Sequence, residues 1–214
     1  MRHKIILADD HKIILDGLCR ILDPEFEIVA IAADGRKLAS EIERLKPEVA
    51  VADISMPLLN GLDALRQCKT ARLRTRFVFL TANPDVALAT RAFRLGASGY
   101  VLKHAAAEEL VVAIREALAG RTYVTHHIAN EVLQNLMSQP TDAATDGTGL
   151  TSREREVLQL LAEGKIIKEI AAILNVSPRT VEFHKNNIVV KTGLRTTAEL
   201  ARYATRHGLV SELG

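Results

Sequence analysis

The sequence predicts an α/β fold, a five-stranded parallel doubly wound sheet, followed by a small all-α domain. Three observations lead there. To about Gly120, short β-rich apolar runs alternate with longer segments of helical period. A polar run without periodicity, SQPTDAATDGTG from Ser138 to Gly149, then reads as a flexible linker. Beyond it every apolar pattern is helical. The domains expected are therefore 1–120, a helix plus linker over 121–149, and 150–214.

The strands are read at Lys4 to Asp9, Glu27 to Ala32, Val49 to Asp53, Phe77 to Thr81 and Gly99 to Lys103, where β-branched and aromatic residues concentrate. Helices fall between them near Lys12 to Leu22, Arg36 to Lys46, Gly61 to Arg72, Pro84 to Leu95 and Ala106 to Ala119. Ile128, Val132, Leu133 and Leu136 form one apolar stripe, so Thr125 to Met137 is a sixth helix. In the tail, Thr151 to Gly164, Lys168 to Leu174, Pro178 to Lys191 and Thr196 to His207 are helical. Asn175-Val176-Ser177 is the short connection of a helix-turn-helix, with Ser177 suited to the N-cap and Pro178 to the first helical position.

Composition narrows the function classes. At 214 residues and 48% hydrophobic content the chain can build ordinary buried cores. Residues 1–150 carry 18 Lys and Arg against 19 Asp and Glu, and residues 151–214 carry 10 against 7, a basic tilt that permits nucleic acid as a partner of the tail. Cys19 and Cys68 lack the spacing of a disulfide framework or a zinc site. Charges interrupt MRHKIILADDHKIIL too early for a signal peptide, and no apolar run is long enough to span a membrane, so a soluble cytoplasmic protein is expected.

In an open parallel sheet the carboxyl ends of the strands line one crevice. The residues at those ends are Asp9 and Asp10, Asp53, Thr81 and Lys103. Three carboxylates together repel one another unless a cation sits among them, and hard oxygen donors suit Mg²⁺. A strand that stops on Asp53 before Ser-Met-Pro is expected to hold that carboxylate exposed at the lip, where it can act as a nucleophile toward a phosphoryl group. Lys103 and Thr81 would stabilise charge on the phosphoryl oxygens. No P-loop or GxGxxG run appears, so the phosphoryl group should come from outside the chain.

These residues carry a resemblance. ADDH after the first strand, DISMPLLNG around Asp53, Thr81-Ala82 and GASGYVLKH ending on Lys103 resemble a response-regulator receiver domain. That resemblance implies a flavodoxin-like sheet, Asp53 as phosphoacceptor, and Mg²⁺ held by Asp9, Asp10, Asp53 and the Ser55 carbonyl. It further implies Thr81 and Lys103 as phosphoryl contacts, Tyr100 as an aromatic switch that swings inward, and a sensor histidine kinase as donor. LTSREREVL, EGKIIKEIAAIL, VSPRTVEFHKNNI and the KTG turn resemble a LuxR-type DNA-binding domain. The whole chain thus looks like a NarL/FixJ-type two-component regulator of transcription and not an enzyme. Ile166-Ile167 departs from the small or polar residues usual in that family, and Thr192 stands where it usually has Leu.

On the second helix of the motif, Val181, His184 and Ile188 share the face assigned to the core, and Arg179, Glu182, Phe183, Asn186 and Val190 the opposite one. Arg179, Lys185, Asn187, Lys191 and Arg195 can reach phosphates of double-stranded DNA, and Thr180 lies beside them. Asn186, Glu182 and Phe183 suit base edges. A homodimer is expected on phosphorylation, with Leu200, Ala201 and Ala204 as its seam, and RNA polymerase is a candidate partner. Two rivals stand beside this reading. A Mg²⁺-dependent aspartyl-phosphate phosphatase lacks a second acid two residues after Asp53, where Ser55 sits. A phosphorylation-independent regulator would keep the receiver fold for dimerisation alone.

Overall fold

Val49, Ala50, Val51 and Ala52 are all buried, the signature of a strand covered on both faces, and the sheet around them is wholly parallel. The computed structural model describes residues 2–82, 84–104, 106–138 and 148–210, so most of the expected linker lies outside the described residues. The chain divides into two compact units, residues 1–56 with 60–143, and residues 57–59 with 144–214.

In the first unit the strands are β1 (Lys4–Ala8), β2 (Glu27–Ala32), β3 (Val49–Ala52), β4 (Arg76–Thr81), β5 (Gly99–Leu102) and β6 (Tyr123–Val124). Their order is β2-β1-β3-β4-β5-β6. The helices are α1 (Lys12–Leu22), α2 (Gly35–Leu45), α3 (Gly61–Thr70), α4 (Val86–Arg94), α5 (Ala106–Leu118) and α6 (His126–Ser138). Six strands stand where five were expected. The addition, β6, is too short to show a period of two, and it forms because the β5 edge needs donors: Tyr123 N–H meets the Ser98 carbonyl at 3.0 Å and Thr125 N–H the Tyr100 carbonyl at 3.0 Å.

Side chains alternate across the sheet. Ile5, Leu7, Val49, Val51, Val78, Leu80 and Val101 face one way, onto Leu15, Leu18 and Leu22 of α1 and Leu110, Ala113 and Ile114 of α5. Ile6, Ala50, Ala52, Phe77, Phe79 and Tyr100 alternate with them and are buried as well. The chain runs from β1 to β2 on one side and returns to β3 on the other, so the loops after β1 and β3 part above a crevice.

The second unit holds α7 (Ser152–Ala162), α8 (Ile167–Leu174), α9 (Pro178–Thr192) and α10 (Thr197–Arg206). Thr151 and Glu154 form a capping box at the start of α7, Ser177 accepts from Thr180 N–H before α9, and Thr196 and Glu199 form a second box before α10. Asn175 ends α8 in the left-handed region, at φ 52°, which Asn tolerates better than most residues. The core gathers Val157, Leu158, Leu161, Ile170, Val181, Ile188, Leu200 and Ala204.

That core corrects one expectation. Leu200 is 1% exposed and Ala204 is buried, both against the unit's own interior, where α10 packs on α7. Leu200 and Ala204 are consumed by that core, so these two cannot form a dimer seam, while Ala201, the third residue of the expectation, is half-buried.

Candidate functional site

The strand ends bring the acids together. Asp9 N–H donates to the Ala32 carbonyl at 3.1 Å and Asp53 N–H to the Ala8 carbonyl at 2.8 Å, so the ladder itself sets both Cα positions. Lys103 arrives from the end of β5, its N–H donating to the Thr81 carbonyl at 2.8 Å. Its ammonium lies 2.7 Å from Asp53 Oδ2 and 2.6 Å from Asp9 Oδ2. Asp53 Oδ1 accepts a longer bond from Ser55 N–H, 3.3 Å. Thr81, at the end of β4, and Tyr100, on β5, are both buried.

Asp53 is not exposed at the lip as expected, but 6% exposed. An anion so placed is poorly hydrated, and the Lys103 ammonium is drawn onto it in water's stead. Burial raises the Asp53 carboxyl above its ordinary range, opposed by Lys103 and reinforced by Asp9. Burial also works against the Lys103 charge, but Asp53 and Asp9 together outweigh it and raise that ammonium. Burial raises the Tyr100 hydroxyl strongly, and Asp85 and Asp53 add to it, so the ring sits neutral inside the fold, already inward.

His11 joins the acids, a role the apolar periodicity of the sequence does not announce. Its Nδ1 lies 3.1 Å from Asp9 Oδ1 and 2.8 Å from Asp10 Oδ1, and its backbone N–H donates to Asp9 Oδ1 at 2.9 Å. Asp9, Asp10 and His11 each bring one donor atom within 4.8 Å of the others. The carboxylates fit a hard divalent cation, and the Lys103 ammonium already spans Asp9 and Asp53 as a cation would. The ADDH run held this signal, because a backbone amide turned back onto Asp9 brings the next side chain with it.

In the sequence Gly61 marks only the start of a helix. A Cβ there would stand 2.4 Å from the Asp53 carbonyl oxygen and 2.9 Å from the Phe79 ring. Only glycine lets α3 come this close to the backbone of Asp53. Asn60 and Asp63, both buried, fix the helix start by a bond of 2.8 Å from the Asn60 amide to Asp63 Oδ2 and one of 2.9 Å from Asp63 N–H to Asn60 Oδ1.

On α9, Val181 and Ile188 point into the core while Arg179, Glu182 and Asn186 are exposed. Phe183 is 60% exposed and Val190 83%, an apolar display that a merely solvated helix face does not need. Thr180 is held at the helix start, its hydroxyl 2.8 Å from that of Ser177. Lys185 and Asn187 are half-buried at the flanks. Lys191 is already engaged: its Nζ lies 2.6 Å from Glu154 Oε2 on α7. Burial opposes the Glu154 charge, but bonds from Lys191 and Thr151 outweigh it and hold the carboxyl below its usual range.

A carboxylate crevice on a doubly wound parallel sheet, with a helix-turn-helix unit in the same chain, is the architecture of response regulators of transcription. Residues 5–115 match the response regulator receiver domain and residues 148–204 the luxR family of bacterial regulatory proteins, and the chain belongs to the response regulators that join these two domains. The oxygen regulatory protein NreC of Staphylococcus aureus strain MRSA252 is 37% identical over 214 residues, covering 97% of this chain and 99% of that one. A structure of the Salmonella typhimurium RcsB response regulator aligns with a TM-score of 0.63 at 26% identity, over 96% of this chain and 98% of that one. A LuxR-family response regulator from Aurantimonas sp. is 34% identical with a TM-score of 0.60, over 63% of this chain and 98% of that one. RcsB has also been solved in complex with DNA. Among the described residues no helix is long and apolar enough to cross a membrane.

Proposed function

We propose that Asp53 accepts a phosphoryl group from a sensor histidine kinase, and that the modification controls binding of the second unit to double-stranded DNA as a homodimer. The observation that carries this reading is the Lys103 ammonium held between Asp53 and Asp9. Asp53 attacks phosphorus through a carboxylate oxygen; the new P–O bond forms as the bond from phosphorus to the donor breaks, and the donor group leaves with the electron pair. Lys103 and the Thr81 hydroxyl stabilise the charge on the transferred group. Mg²⁺ bound by Asp9 and Asp10, with Asp53 and the Ser55 carbonyl, would neutralise phosphoryl oxygens there.

On the second unit, Arg179, Lys185, Asn187 and Lys191 contact phosphates, and Asn186, Glu182 and Phe183 read base edges, with Thr180 at the helix start. Lys191 must trade Glu154 for a phosphate, so its share of the affinity is the smallest.

The test is incubation of the full chain with acetyl phosphate and Mg²⁺, followed by intact mass, peptide mapping and DNA retention for wild type and Asp53→Asn. Wild type is expected to gain one phosphoryl adduct on Asp53 and to retain DNA better. An adduct on another side chain, or none, overturns the reading. Equal retention by both proteins with and without donor supports a regulator that needs no phosphorylation.

A further inference from the structure

We infer that Thr125 is a positioning residue that ties the phosphorylation state of the crevice to α6, the helix that leads out of the receiver. The inference rests on the reading of Asp53 as phosphoacceptor. Thr125 immediately follows β6 and is 3% exposed, and four hydrogen bonds converge on it from three directions. Its N–H donates to the Tyr100 carbonyl at 3.0 Å, and its carbonyl accepts from Ile128 N–H at 3.1 Å in the first turn of α6. Its hydroxyl accepts from Leu102 N–H at 3.1 Å and donates to Glu109 Oε2 of α5 at 3.0 Å.

The hydroxyl stands where a ladder carbonyl would. β6 ends at Val124, so the last N–H of β5 finds no further strand residue beside it, and the Thr125 side chain takes over the pairing. The residue after Leu102 is Lys103, whose ammonium bridges Asp53 and Asp9. A phosphoryl group on Asp53 adds negative charge that this ammonium must follow, and the strain falls on the end of β5. A buried amide that loses its acceptor is costly, so the Leu102 N–H and the Thr125 hydroxyl move together. The movement reaches α6, which begins at the Thr125 carbonyl and packs on α4 through its buried side, leaving Leu133 and Met137 exposed.

Thr125→Val keeps the branched shape and removes both hydroxyl bonds, while Thr125→Ser keeps the hydroxyl. The full-length proteins are treated with acetyl phosphate and Mg²⁺, the adduct on Asp53 is counted by mass, and amide hydrogen exchange is read over residues 126–138. Wild type and T125S are expected to change their exchange over α6 on phosphorylation. In T125V, phosphorylated to the same extent, that change should shrink about fivefold. Glu109→Ala frees the Thr125 hydroxyl to rotate and also removes the bond that Glu109 makes to the Tyr123 hydroxyl; it should give a partial loss and decides the matter if T125V folds poorly. An unchanged response in T125V and E109A overturns the inference, as does a T125S that behaves like T125V. Wild type that carries the adduct without any change in α6 sinks this inference alone; wild type without an adduct sinks the reading of Asp53 first.

Discussion

Asp9 and Asp53 share one ammonium at the end of the sheet, whereas Glu154 in the helical unit receives both Lys191 and the Thr151 N–H, at 2.6 Å and 2.7 Å. All three carboxylates are almost fully buried. In the helical unit the acid completes a capping box and pins α9 to α7, so its charge is answered twice over by the fold itself. In the receiver, Asp9 and Asp53 share one lysine while Asp10 lies beside them against His11, and the negative charge left over is what a divalent cation or a further cationic contact would meet. Buried charge that is fully answered fixes structure; buried charge left partly unanswered is available for chemistry.

Lys103→Met puts the largest strain on this contrast. The variant leaves Asp9 and Asp53 buried with no ammonium between them, and the receiver should lose about 3 kcal/mol of stability in urea titrations without divalent ions. Added Mg²⁺ should return much of the loss, and should stabilise the variant more than wild type, because it binds only the folded site. Equal response of the two proteins to Mg²⁺ would break the contrast, since the excess charge would then be answered elsewhere.

Glu154→Gln probes the other side and should cost less, about 1 kcal/mol, because Lys191 reaches solvent and the cap at Thr151 survives in part. The Glu154 carboxyl is held below its ordinary value in the folded chain, so its contribution is present above roughly pH 4.3, the ordinary glutamate value, and fades as pH falls through the lower folded value. The gap between wild type and E154Q, read by urea titration with pulsed hydrogen exchange over residues 152–162, should be widest near neutrality and close under acid. A gap that persists unchanged at low pH would show that the glutamine disturbs packing and not charge.

Much of the crevice was legible because strand ends are legible. An apolar run that stops on Asp53, and another that stops just before Lys103, fixes which residues meet once the sheet is parallel, and the 2.7 Å contact between those two follows from topology. What could not be read was depth. Side-chain alternation says which face a residue takes, not how closely the loops and Lys103 close over it, so Asp53 was expected exposed. The α10 error has the same root: a stripe containing Leu200 and Ala204 announces an apolar face without saying whether its partner is another chain or α7. β6 escaped because Tyr123–Val124 is too short for any period, and its reason for existing lies in unpaired carbonyls of β5. Gly61 shows the remaining gap, since the need for a bare Cα appears only when the Asp53 carbonyl is seen against it.

The smallest effect tests whether the helical unit is answered everywhere. Ile166, 61% exposed, occupies the N-cap of α8 with extended backbone and no side-chain cap. Half of a capping box is present all the same, for the Ile166 N–H donates to Glu169 Oε2 at 2.9 Å. Thr at this position would supply the missing acceptor for the Glu169 N–H and remove an apolar side chain from solvent. Ile166→Thr should therefore stabilise the unit by up to about 1 kcal/mol, read by pulsed exchange over residues 167–174. A measured gain would show that Ile166 leaves the cap of α8 incomplete. If I166T instead leaves stability unchanged while weakening DNA retention, the exposed isoleucine is itself a contact in the bound state. If it destabilises, Ile166 packs more firmly than its exposure indicates, and the end of α8 joins Glu154 among the places where this unit is already complete.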